Sequence, residues 1–223
     1  MCGRNSLFAP RPVLEERFGA AVFEGYEPRY NVAPGDDVAV VSADEPDRIR
    51  RATWGLLPEW TDPDRTGLHN ARAETVDERP SFRDAWAERP CLVLSSGFYE
   101  WHQAGTHAEP YRIHRQGETA FAMAGIWSPA PSEEDEMTVA VLTTEPNETV
   151  RPIHDRMPVV LERESEKAYL QSPPAERQTL CRPYRAGDLE AYEISPRVND
   201  PGVDDPAVIE PASSAQSGLE EFG

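Results

Sequence analysis

Four side chains of this chain have the types needed for covalent and proton-transfer chemistry: Cys2, Asn70, Glu100 and His154. Cys2 directly follows the initiator methionine, and trimming of Met1 is expected before so small a side chain. The trimmed chain carries a thiol and a primary amine on neighbouring carbons, so it can attack one electrophile twice. A terminal α-amine has a pKa of about 8 against about 10.4 for lysine, so about one amine in ten is a free nucleophile at neutral pH. The plain alternative for Cys2 is a frayed chain end. Glu100 lies in Ser95-Ser-Gly-Phe-Tyr-Glu-Trp101, where strand alternation puts Phe98 and Glu100 on one face and Tyr99 and Trp101 on the other. A carboxyl among aromatic neighbours is partly buried, which raises its pKa and suits it to exchange protons near neutrality; at a sheet edge it would face water. His154 sits in the polar island Arg151-Pro-Ile-His-Asp-Arg-Met-Pro158, which suits an acid-base group and equally a solvent-facing loop histidine. Asn70 reads as a site residue or as a turn residue.

Arg4, Arg72, Arg83 and Arg156 stand beside these positions or in the polar segments that flank them. A guanidinium fork suits phosphate, and it suits the abundant surface carboxylates as well. Trp54, Trp60 and Trp101 serve equally as core or as platforms for stacked bases. The remaining histidines, His69, His102, His107 and His114, lack ligand spacing, and His102, His107 and His114 read as surface residues. Cys2, Cys91 and Cys181 are odd in number and far apart, with no Cys-x-x-Cys. Neither a disulfide framework, nor a metal site, nor a cofactor is expected.

The bulk properties bound the class. A chain of 223 residues with 39% hydrophobic residues can bury a normal core. No apolar run approaches the roughly 20 residues of a membrane span, and the start is too polar for a secretory signal, so a cytoplasmic protein with no membrane partner is expected. The formal net charge is −18, with Lys167 the single lysine. Acidity with arginine in place of lysine is the pattern expected of a halophile, adapted to a salt-rich cytoplasm, or else of an acidic protein that avoids nucleic acid. At molar salt the Debye length is about 3 Å, so bulk charge does not exclude a polyanionic partner.

The elements that must position these residues follow from pattern. Pro12–Phe18 reads as a short amphipathic helix bracing the N-terminus. Strands are expected at 38–42, 48–54, 91–101 (passing through Gly97), 111–115, 120–127, 138–144 and 159–161. Short helices are expected at 81–86, behind the cap Ser81, and at 163–170. Ser132–Glu136 reads as a solvated acidic loop. The chain beyond residue 195 is rich in Pro, Asp, Ser and Gly, and 196–223 is expected to be an acidic, disordered tail.

Taken together, Met1-Cys-Gly-Arg4, Tyr30-Asn-Val-Ala-Pro34, Trp54-Gly-Leu-Leu-Pro-Glu-Trp60, Asn70-Ala-Arg-Ala-Glu74, Ser81-Phe-Arg83, Gly97-Phe-Tyr-Glu-Trp101, Phe121-Ala-Met-Ala-Gly-Ile-Trp127, Thr143-Thr144 and His154-Asp-Arg-Met-Pro158 resemble, in order, the SRAP (SOS-response-associated peptidase) domain family. The resemblance covers 2–195 and implies one α+β domain, a curved, barrel-like, mostly antiparallel sheet flanked by short helices. It further implies an enzyme that shields abasic sites in single-stranded DNA, including those at single-strand/double-strand junctions, through a thiazolidine cross-link at Cys2. Abasic-site lyase activity and proteolytic removal of Met1 would accompany the cross-link. By the same resemblance Glu100 relays protons, Asn70 holds the N-terminus or the sugar, and His154 helps open the sugar ring. Arg4, Arg72 and Arg156 clamp phosphates, and the Trp54-Gly55 loop, with Trp60, presses on bases. A monomer suffices for this chemistry. The alternatives are an N-terminal-nucleophile amidohydrolase, because glutamine amidotransferase domains also begin Met-Cys-Gly, and a non-enzymatic reader of modified DNA bases.

Overall fold

Runs of Val, Ile, Leu and Ala that are buried along their whole length need a hydrogen-bonded neighbour on each edge, and closing the sheet on itself supplies both. The computed structural model describes residues 3–62, 65–131, 136–185 and 187–212. Cys2, residues 132–135 of the expected acidic loop and residues 213–223 of the expected tail lie outside the described residues. In chain order the elements are β1 (Arg4–Leu7), α1 (Arg11–Phe18), β2 (Ala21–Val22), β3 (Arg29–Val32), β4 (Asp37–Ser42), β5 (Arg48–Trp54), β6 (Asn70–Arg72), α2 (Pro80–Glu88), β7 (Pro90–Ser95), β8 (Gly97–Ala104), β9 (His107–Arg115), β10 (Phe121–Pro129), β11 (Met137–Thr144), β12 (Met157–Pro158), α3 (Arg163–Gln171), α4 (Pro174–Gln178) and β13 (Leu189–Glu193). Short 3-10 turns follow at Ala73–Thr75, Pro196–Asn199 and Pro206–Ile209.

β11, β10, β7, β4 and β5 form the barrel in that order, and β5 closes it by pairing in parallel with β11, Thr53 opposite Thr138 and Trp54 opposite Val139. Period-two alternation sends successive side chains to opposite faces. Ala39, Val41, Leu92, Leu94, Ala124 and Leu142 meet Leu14 of α1, Trp86 of α2 and Tyr169 of α3 in one apolar cluster. Val38, Val40, Val93, Met123, Val139 and Trp54 meet Phe98 and Ile113 in another. Those last two belong to a second antiparallel sheet, ordered β13-β9-β8-β1-β3.

The segment 91–101 is not the single strand its pattern suggests. β7 belongs to the barrel and β8 to the second sheet, and the chain changes sheets at Ser96. Hydrogen bonds pin the crossing: Ser96 N–H donates to Ser6 O at 2.6 Å, Ser96 Oγ to Thr119 O at 2.6 Å, and Arg112 Nη2 to Ser96 O at 2.8 Å. Gly97 adopts φ +155°, and a Cβ there would meet Ile113 O and Arg112 Nη2, each at 3.0 Å.

Residues 196–212 also depart from expectation. They are ordered, with Val198 and Val208 fully buried against Tyr99. The composition is too polar to suggest a core, but fixed polar partners hold the segment: Asp205 caps the last 3-10 turn, accepting from Ala207 N–H at 2.9 Å, and Tyr192 Oη donates to Ile209 O at 2.7 Å.

The crossing yields a comparative prediction. Gly97→Ala should cost about 2–3 kcal/mol by urea denaturation, combining backbone strain with a steric clash. Gly105→Ala, where φ is +64° and no atom lies within 4 Å, should cost about 1 kcal/mol. Equal losses at the two positions would contradict this account of the sheet crossing.

Candidate active site

The pairing of β1 with β8 brings the start of the chain to Glu100. Arg4 lies opposite Tyr99, Asn5 opposite Phe98 and Ser6 opposite Gly97, and one further step of that register brings Gly3 level with Glu100. The alternation along β8 is as expected: Phe98 enters the barrel-side cluster, while Tyr99 and Trp101 pack on the opposite side. Glu100 is only 1% exposed. Burial raises its pKa to about 7, and the negative charge of Asp155 adds to the rise. Its carboxyl can therefore both release and take up a proton near neutral pH.

His154 reaches the same place from the loop before β12. Its Nε2 lies 4.0 Å from Glu100 Oε2, and its Nδ1 accepts the backbone N–H of Arg156 at 3.0 Å. Burial lowers the His154 pKa against the pull of Asp155, whose Oδ1 is 3.0 Å from Nδ1. Glu100 and His154 border a hollow of about 480 Å³ lined also by Gly3, Trp101, His102, Gln103, Ile153 and Asp155. Cys2 directly precedes Gly3 in the sequence. His102, read from the sequence as a surface residue, thus borders the hollow, as does Trp101, read as core or stacking platform, while Ile153 and Asp155 join it with no signal beyond their nearness to His154.

Asn70 is half-buried on β6, which pairs in parallel with β11, Asn70 opposite Val141 and Arg72 opposite Thr143. Arg156 ties this strand pair to the His154 loop. Its guanidinium makes two bonds to the Glu74 carboxylate at 2.9 and 2.8 Å and one to Thr143 O at 2.7 Å. Arg72 is exposed at the end of β6, and Arg83 is exposed on α2, 3.2 Å from Asp84.

Three of the residues expected to contact a ligand, Arg156 among them, have their side chains committed to partners within the protein. Trp54 is 1% exposed and donates Nε1 to His69 O at 2.9 Å, so its ring is core and offers no face for stacking. Arg4 donates to Asn31 Oδ1 and to Val198 O, each at 2.7 Å, and to Asn199 O at 3.1 Å. The loop after Trp54 is folded back on itself, with Leu56 bridged to Leu68 and the Gly55 N–H donating to Val139 O at 2.9 Å. It presents Trp60, 66% exposed, and Leu68, 39% exposed.

Burial pushes the Cys181 thiol up to about 12 and the Cys91 thiol higher, so neither offers a thiolate at neutral pH. Among the described residues no group of three or more His, Cys, Asp or Glu could hold a metal ion, and no helix is long and apolar enough to cross a membrane.

A closed five-stranded barrel carrying a second antiparallel sheet, with a buried carboxyl and an imidazole bordering one hollow, defines an α+β domain. The chain belongs to the SRAP family, described as SOS response associated peptidase, whose model matches residues 1–201. It is 38% identical over 213 residues to the abasic site processing protein YoqW of Bacillus subtilis, a match spanning 90% of this chain and 95% of that one. It is 32% identical over 179 residues to the abasic site processing protein YedK of Escherichia coli, spanning 77% and 80% of the two chains. A crystal structure of a protein from Bacteroides thetaiotaomicron superposes with a TM-score of 0.84 at 28% identity, covering 95% of this chain and all of that one.

The buried carboxyl makes stability depend on pH. Glu100 holds its proton more tightly folded than unfolded, so it costs nothing below its ordinary pKa of 4.5 and the full penalty above its folded value of about 7. That penalty is on the order of 3 kcal/mol. Glu100→Gln should therefore melt above wild type at pH 8 in calorimetry, and the gap should close by pH 4.5. A gap independent of pH would place the ionisation elsewhere.

Proposed function

We propose that the protein processes abasic sites in single-stranded DNA, including those at single-strand/double-strand junctions, by capturing the ring-opened deoxyribose on Cys2. The observation that carries this reading is the hollow shared by Gly3, Glu100 and His154, one residue from the Cys2 amine and thiol. The names of the relatives YoqW and YedK support the substrate class. An abasic sugar has no base to unstack, so it enters a hollow more cheaply than an intact nucleotide does.

His154 in its imidazolium form gives its Nε2 proton to the ring oxygen while the anomeric hydroxyl loses its proton to water, opening the sugar to its C1′ aldehyde. The Cys2 amine attacks C1′, and the carbinolamine loses water to give an imine. Glu100, half ionised near neutrality, takes a proton from the amine and returns it to the leaving hydroxyl. The thiol then adds across the C=N bond: sulfur bonds to C1′, nitrogen gains the proton, and the ring closes as a thiazolidine. Asn70 holds the N-terminus or the sugar. From the imine, abstraction of a C2′ proton and loss of the 3′ phosphate is the lyase branch. Removal of Met1, by the chain itself or by other means, precedes all of it. Arg72, Arg83 and Trp60, all exposed, are the groups this reading assigns to DNA. It needs a single copy of the chain and operates inside the cell.

Incubation with a single-stranded oligonucleotide carrying an abasic site, followed by a denaturing gel, tests the reading. Wild type should give a heat-resistant adduct and Cys2→Ala none. Cys2→Ser should give an imine visible only after borohydride reduction, and Glu100→Gln should form adduct about 10²–10⁴-fold more slowly. Adduct from Cys2→Ala equal to wild type would falsify the proposal. Glutamine hydrolysis, or binding of modified duplex DNA that Cys2→Ala leaves intact, would favour the other readings.

A further inference from the structure

After β13 the chain makes an Ω-shaped loop whose ends are tied by the bridge between Ile194 and Pro211 and by the Ala212 N–H donating to Glu193 O at 2.9 Å. Compact loops with neighbouring ends, about 6–16 residues long, are frequently functional. Its last part lies beyond the residues matched by the family model, which ends at 201. The loop packs Val198 and Val208 on Tyr99, and its polar groups grip the two residues nearest the candidate chemistry. Arg4, two residues after Cys2, donates to Val198 O at 2.7 Å and Asn199 O at 3.1 Å. Trp101, adjacent to Glu100 and bordering the hollow, donates Nε1 to Asn199 Oδ1 at 2.8 Å. Asn31, which accepts from Arg4, donates Nδ2 to Asp200 O at 3.0 Å and Val203 O at 2.8 Å. The Asp204 carboxylate closes the set, accepting the N–H of Tyr30 at 2.5 Å and of Asn31 at 2.9 Å and pairing with the Arg29 guanidinium.

We propose that this loop, acting through Asn199 and Asp204, is a positioning element that holds Arg4 and Trp101 so that the terminal nucleophile is presented to Glu100. The inference rests on the capture chemistry proposed above. β1 is four residues long and begins at Arg4, and so short a strand end frays unless something beyond the ladder holds it. The Arg4 fork provides that hold. It reaches one amide oxygen and two carbonyl oxygens at once, a geometry that lysine's single ammonium does not reproduce. Arg4 and Trp101 are thereby fixed by the same residue, Asn199, on either side of the β1–β8 pairing. Loosening the loop lets the nucleophile drift from the proton-transfer group, and a displacement of about 1 Å costs about a hundredfold in rate.

The test uses the full chain with single-stranded abasic oligonucleotide, fitting the rate of adduct formation to saturation. Asp204→Ala, Asn199→Ala and Arg4→Lys should each lower the rate at saturating DNA by about ten- to a hundredfold. The half-saturating DNA concentration and its salt dependence should stay as in wild type. Asp204→Asn, which keeps the acceptor for Tyr30 and Asn31, should recover most of the rate. Hydrogen exchange in the peptide covering residues 3–8 should speed up in Asp204→Ala, a readout that needs no DNA. Asn199 is exposed, so its truncation leaves the core intact even if Asp204→Ala lowers stability. A raised half-saturating concentration with a shallower salt dependence in Arg4→Lys would make Arg4 a phosphate contact and overturn the proposal. Wild-type rates and wild-type exchange in Asn199→Ala and Asp204→Ala would overturn it too. A wild type that forms no adduct sinks the capture chemistry instead, and hydrogen exchange then decides the loop's hold on β1 by itself.

Discussion

The antiparallel pairing of β1 with β8 is the contact on which the candidate site depends. It aligns Ser6 with Gly97 and Arg4 with Tyr99, so a four-residue strand near the start of the chain acquires a fixed register relative to Glu100. The pairing exists because β8 has left the barrel. Had the chain continued straight from β7, Glu100 would extend the barrel wall and β1 would have no open edge to join. The departure costs an unusual backbone at Gly97, offset by the hydrogen bonds of Ser6, Thr119 and Arg112 around Ser96.

Charge is used inside this protein differently from the way its bulk balance suggests. Several arginines are taken up in the interior or at element joints. Arg17 pairs with Glu166 at 2.6 Å between α1 and α3, and burial still raises the Glu166 pKa despite that partner. Arg177 donates to Tyr169 O at 3.1 Å and Ser172 O at 3.0 Å. Arg156 and Arg4 do the same work nearer the site. Such charges bring geometric definition more than net stability, because desolvation offsets much of the attraction. Among the described residues, Arg72, Arg83 and Arg151 stay exposed in or beside the site segments.

Much of the barrel was legible in the sequence, since Val38–Ser42 is a short continuous apolar run and Arg48–Trp54 alternates at the period of a strand, and so was the pairing of faces along Phe98–Trp101. The short strands were not. β1, β3, β6 and β12 have two to four residues, too few for a period to register, and they are strands only because a partner edge receives them. The order in residues 196–212 was hidden for a related reason. It is held by scattered polar contacts to Arg4, Asn31 and Trp101 and by Val198 and Val208 buried on Tyr99, too few apolar residues for composition to register.

The sequence by itself determined which groups could do chemistry: a thiol at Cys2, a carboxyl set among aromatics, an imidazole in a polar island, and an ordered set of motifs that marks the family. Those are properties of residue type and near-neighbour spacing. Tertiary structure alone decided which of them meet and in what state. The closeness of His154 to Glu100, the pKa of Glu100 near 7, the burial of Trp54 and the engagement of Arg4 each depend on partners tens to nearly two hundred residues away. Desolvation and hydrogen bonding act through space, and spacing along the chain does not encode the distances they need.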